Sequence, residues 1–198
     1  MNVVKAVFIL NSSFFISLLA GCFNEPEPAY RTVPAENRVY LSDKGLKSVP
    51  EVNPKADYLN LDRNQLETAA GVEKLAELKW LRLNGNKLSA LPDLKALVRL
   101  RRIYLRDNKF AEVPAALKDL PSLTDIDLSG NPVKEIPAWL AEKEGLKNLS
   151  FSRTQVKKLP ENLQAWRSLQ CLQLGDLGLP AAEMARVRSA LPKTAIVF

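Results

Sequence analysis

The chain is predicted to fold as an α/β solenoid, with about seven to eight short parallel strands on one face and short helical or 3₁₀ segments on the other. Three observations predict it. An apolar pattern recurs from residue 36 to the C-terminus, with starts at 36, 56, 78, 100, 123, 146 and 169, spaced 20 to 23 residues apart. An asparagine sits at the ninth position of four copies, as Asn64, Asn86, Asn108 and Asn131. An apolar residue followed by proline opens most return segments, at Leu91-Pro92, Val113-Pro114, Ile136-Pro137 and Leu159-Pro160. A fixed period in this range is the signature of stacked units, each too small to bury its own apolar face.

Each element follows from that frame. Apolar residues at positions four and six of a copy alternate with variable ones at three, five and seven, which gives a short strand with one inward face. The best copies are Leu78-Lys-Trp-Leu-Arg-Leu-Asn-Gly-Asn86-Lys-Leu88, Leu100-Arg-Arg-Ile-Tyr-Leu-Arg-Asp-Asn108-Lys-Phe110 and Leu123-Thr-Asp-Ile-Asp-Leu-Ser-Gly-Asn131-Pro-Val133. Weaker copies run through Leu59 to Leu66 and Leu146 to Val156, and degenerate ones lie at each end, near Val39 to Leu46 and Leu169 to Leu179. The ninth-position asparagine suits a buried ladder, where one amide satisfies backbone groups released as the chain leaves the strand. Proline preorganises a turn or first helical position in the return segment. Lys44 and Leu177 replace the ladder asparagine at the ends, and Thr154 weakens it in the sixth copy, as terminal capping repeats require. The run from Pro180 to Ala190 reads as a helix opened by proline, and Ala195 to Phe198 reads as an eighth strand with Ile196 and Phe198 inward. Trp166 is expected in the core and Trp139 partly exposed on the convex side.

This motif resembles the leucine-rich repeat closely. The resemblance implies a horseshoe whose concave strand face presents variable residues to a protein partner. The face carries an arginine and aromatic cluster, with Trp80, Arg82, Arg102, Tyr104 and Arg106 on neighbouring strands, a composition enriched at binding hot spots. Asp125 and Asp127 on the next strand extend the cluster or neutralise it. The expectation is that Trp80 and Tyr104 are exposed and that these seven residues bind the partner.

The N-terminus follows a different plan. Lys5 precedes the apolar runs Ala6 to Leu10 and Phe14 to Leu19, and Leu18-Leu19-Ala20-Gly21-Cys22 closes them. That order is a secretory signal peptide, and its end resembles the lipobox of bacterial lipoproteins. The resemblance implies cleavage before Cys22 and acylation of its sulfur, hence a bilayer anchor. Phe23, not aspartate, follows the cysteine, which in lipoproteins of Gram-negative type implies the outer membrane. The expected division is a signal peptide at 1–21, a lipidated, proline-rich tether at 22–35 and a repeat domain with a C-terminal cap at 36–198.

Composition narrows the function. No histidine is present, which removes the commonest general base and transition-metal ligand. No metal-loop spacing or glycine-rich phosphate loop appears, so neither a metal nor another cofactor is expected, and catalysis is not expected. With Cys22 acylated, Cys171 would keep no partner and would be a spectator thiol. The net charge of +6 becomes +5 on loss of Lys5, because 27 Lys and Arg then face 22 Asp and Glu. This mild basicity favours anionic neighbours, and export argues against nucleic acid. The reading is a membrane-anchored interaction protein. Its rivals are recognition of an anionic envelope glycan or lipopolysaccharide by the arginine-aromatic patch, and a spacer role in an envelope or secretion machine.

Overall fold

The computed structural model describes residues 37–198; the expected signal peptide at 1–21 and the whole expected tether at 22–35, with Cys22, lie outside them. Eight three-residue strands form one all-parallel sheet in chain order: β1 (Arg38–Tyr40), β2 (Tyr58–Asn60), β3 (Trp80–Arg82), β4 (Arg102–Tyr104), β5 (Asp125–Asp127), β6 (Asn148–Ser150), β7 (Cys171–Gln173) and β8 (Ala195–Val197). Register is uniform, so Leu59, Leu81, Ile103, Ile126, Leu149, Leu172 and Ile196 form one inward row behind Val39. Behind the sheet lies a single apolar layer, closed by Leu97, Leu117, Leu140 and Trp166 from the return segments. Trp166 is fully buried and donates its indole N–H to the Leu140 carbonyl at 2.9 Å.

The return segments carry 3₁₀ turns at Val72–Lys74, Ala115–Leu117 and Gln164–Ser168 and the short helix α1 (Ala138–Glu142). The segment after Leu91-Pro92 forms only turns. There the Asp93 carboxylate accepts the Lys95 N–H at 3.0 Å, a local bond that competes with helical pairing. The last helix, α2 (Ala181–Ala190), starts directly after Pro180. It is fastened to the preceding repeat by Glu183, which accepts the Leu159 N–H, and by Arg186, which donates to the carbonyls of Leu159, Pro160 and Glu161.

The asparagine ladder binds repeat to repeat as expected. The Asn108 amide donates to the carbonyls of Leu83, Leu105 and Arg106, and its oxygen accepts the Leu88 N–H. Asn86 and Asn131 repeat this pattern, and Asn64 accepts two N–H groups, from Lys44 and Leu46. Thr154 makes one hydroxyl bond, to the Phe151 carbonyl, which is what the weakened copy leaves possible.

A further column was not legible in the repeat pattern. Asp43, Arg63, Gly85, Asp107, Gly130, Arg153 and Asp176, each just before the ladder position, all have φ between 52° and 67°. The left-handed conformation turns the chain sharply out of each strand. Gly and Asp at five of these seven positions were the available signal, since both enter this region more readily than other residues.

Candidate functional site

The outward face of the sheet is built by strand positions three and five and extended by position seven. Because the strands are parallel and in register, side chains at equal positions stand in rows ~4.8 Å apart. The position-three row reads Arg38, Tyr58, Trp80, Arg102, Asp125, Asn148, Cys171, and the position-five row reads Tyr40, Asn60, Arg82, Tyr104, Asp127, Ser150, Gln173. The face is thus basic and aromatic over β1 to β4, and acidic and small-polar over β5 to β7.

In the first half, cations and rings interleave. The Arg102 guanidinium carbon stands 4.4 Å from the Trp80 ring centroid, and that of Arg82 stands 5.3 Å from the Tyr104 centroid. Tyr58 meets Trp80 edge-on at 6.0 Å, and Tyr40 meets Tyr58 at 5.3 Å. Such contacts contribute ~0.5–1 kcal/mol each where solvent reaches and more where it does not. The expectation that Trp80 and Tyr104 are exposed is corrected: they are only 9% and 8% exposed. Neighbouring strands stand close enough that Tyr58 and Arg102 flank the indole, while Arg82 lies against the phenol. Burial raises the pKa of Tyr104. Tyr40, 52% exposed, and Arg106 are the accessible ends of the cluster.

The carboxylates are also more enclosed than surface ion pairs. Asp125 is buried, 3.8 Å from the Arg102 Nε, and accepts bonds from the Asn148 amide at 2.6 Å and from the Thr124 hydroxyl. Asp127 accepts the N–H and hydroxyl of Ser129, and burial raises its pKa against those two bonds. Arg106 turns to Asp107 at 3.1 Å. Trp80, Arg102 and Asp125 are connected with one another, and Arg102 also hydrogen-bonds Tyr104, against which Arg82 lies, while Arg106 and Asp127 each turn to a local partner.

Asp62, two residues beyond β2 at the variable seventh position of its copy, is structural. It is buried, accepts Arg82 Nε at 2.8 Å and also accepts the Asn84 N–H. Burial opposes the charge on Arg82, Asp62 outweighs it, and the Arg82 pKa is raised. Asn84 accepts the Arg106 N–H and Ser152 accepts the Gly175 N–H, so position seven holds a second, partial ladder. Small polar residues recurring there were its sequence signal.

Cys171 requires a further correction. It is 2% exposed and disulfide-bonded, so the expectation of a spectator thiol without a partner does not hold. A sulfur enclosed on the sheet face needs only a second cysteine and an oxidant to pair; no histidine is required. The chain's one other cysteine is Cys22, outside the described residues. Among the described residues, no cluster of Cys, Asp and Glu could hold a metal ion, and no helix is long and apolar enough to cross a membrane.

A leucine-rich repeat family model matches residues 76–133. The matched stretch contains β3 to β5 with Asn86, Asn108 and Asn131, and the all-parallel sheet with its short return segments is the leucine-rich repeat fold. No curated protein matches the chain.

Proposed function

We propose that this leucine-rich repeat protein is a non-catalytic scaffold that binds a protein partner on its sheet face while a lipid on Cys22 holds it to a bacterial membrane, the outer membrane by the Phe23 rule. The observation that carries the binding reading is the interleaved Tyr58, Trp80, Arg102 row beside Arg82 and Tyr104. Packed rings fix the guanidinium groups in orientation before any partner arrives, which reduces the ordering cost of binding. The basic half then favours a partner presenting carboxylates, with Tyr40 and Arg106 at the rim. Support for the anchor lies in the lysine-led apolar N-terminus and the Leu-Ala-Gly-Cys sequence.

The test is site-specific photo-crosslinking in intact envelopes, with the probe at Tyr40, at Arg106 or at Ala138 on α1. One shared product from the first two sites and its absence from the third is the expected result. Products from Ala138 alone would move the function to the convex side, and no product from any site would reject a stable protein partner.

A further inference from the structure

A groove of about 770 Å³ follows the margin where the chain enters the strands, from Lys79 to Gln170. Its floor is rigid. Each carbonyl along this margin accepts two N–H groups of the next repeat: Lys79 accepts from Arg101 and Arg102, Arg101 from Thr124 and Asp125, Thr124 from Lys147 and Asn148, and Lys147 from Gln170 and Cys171. Because Arg102, Asp125 and Asn148 are in register, the preceding residues Arg101, Thr124 and Lys147 also stand in one row.

Charge along this row is unbalanced. Lys79 meets the Asp57 carboxylate at 3.4 Å, and Arg102 meets Asp125 at 3.8 Å. Arg101 and Lys147 are both exposed, and among the described residues neither side chain makes an ion pair or hydrogen bond. Four cations against two carboxylates leave two positive charges, set two strands and therefore roughly 10 Å apart. Thr124 lies between them, with Asn148 and Gln170 beside Lys147.

We propose that this margin binds a linear acidic glycan, with Arg101 and Lys147 meeting successive anionic groups and Thr124, Asn148 and Gln170 hydrogen-bonding its hydroxyls. One phosphate or sulfate is too small to touch both cations at that separation. An acidic peptide fits less well, because the margin carbonyls are already doubly occupied and offer little to a backbone that binds by strand-like hydrogen bonding. The groove borders the sheet-face cluster and shares Trp80, Arg102 and Asp125 with it, but its two exposed cations, Arg101 and Lys147, are not among the residues proposed for the protein partner, so substituting them tests the glycan reading alone.

The experiment measures binding of a fluorescein-labelled heparin octasaccharide to the full chain by fluorescence anisotropy. Arg101→Glu with Lys147→Glu is compared with Lys87→Glu plus Lys109→Glu, an equal charge change at exposed residues on the far side of the strands. The groove variant is expected to bind at least about tenfold more weakly and the control within about twofold of the unaltered chain. Unchanged melting temperatures establish that both variants are folded. Absence of binding by the unaltered chain, equal losses in both variants, displacement by inorganic sulfate at equal charge, or equal competition by polyglutamate would each overturn the proposal.

Discussion

The Asp107 carboxylate reaches across Gly130 to the guanidinium of Arg153, 3.1 Å away and two repeats further along the solenoid. A Cβ on Gly130 would stand 2.0 Å from the Asp107 Oδ1, and φ at this position is +67°. Gly130→Ala is therefore expected to cost about 1–2 kcal/mol, from left-handed strain plus a displaced ion pair. Arg153→Ala removes only the half-exposed ion pair and is expected to cost under about 1 kcal/mol. Urea unfolding of both variants checks this, and a larger loss for Arg153→Ala would contradict the strain argument.

The ladder asparagines make a stronger demand. Asn108→Ala leaves the Leu83 and Leu105 carbonyls and the Leu88 N–H without their amide partner inside the core. At ~1–3 kcal/mol per orphaned buried group, partly relieved by water, a loss of about 3 kcal/mol is expected. Asn108→Thr should recover part of it, since Thr154 shows that one hydroxyl bond fits this position. Denaturant midpoints rank the three chains, and an alanine variant as stable as the parent would remove the ladder from the account.

At the C-terminal end, the Arg186 guanidinium holds the Glu183 carboxyl down to about 2 against burial, with help from the Leu159 N–H. A depressed carboxylate stabilises the folded state above its unfolded pKa, near 4.5, and that contribution fades as pH falls towards 2. Glu183→Gln is expected to lower the melting temperature at pH 7, with the gap to the parent shrinking steadily as pH falls from about 4.5 through about 2. Parallel melting curves across that window, with a constant gap, would show that the carboxylate charge is not the cause.

The two cysteines give a chemical alternative that one experiment decides. The Cys22 sulfur can carry a thioether-linked diacylglyceryl group or one half of a disulfide, and never both. If Cys22 is acylated as proposed, the mature chain incorporates labelled palmitate, and the Cys171 disulfide joins it to a cysteine of another chain, so that reductant changes its mobility on a denaturing gel. Cys22→Ser should then lose the label and leave the membrane fraction. A mature monomer with no thiol and no acyl mass would reject the anchor.

The inward half of this protein is determined by its sequence alone. Strand positions, the buried Leu and Ile row and the asparagine ladder are present in the repeat, because burial acts on each copy at the same local positions, and the helix after Pro180 and the eighth strand are legible in the residues that follow it. The outward half is decided by tertiary structure. Whether Trp80 is exposed depends on Tyr58 and Arg102, each 22 residues away and brought beside it only by strand register. Asp62 looks like another variable surface residue until the turn places it under Arg82, and Arg101 and Lys147 share a groove only because two intervening carbonyl steps align them. A repeat pattern records which side chains leave water; which side chains meet on the other face depends on the charge and shape of neighbours one or two repeats away, and these the period leaves free to vary.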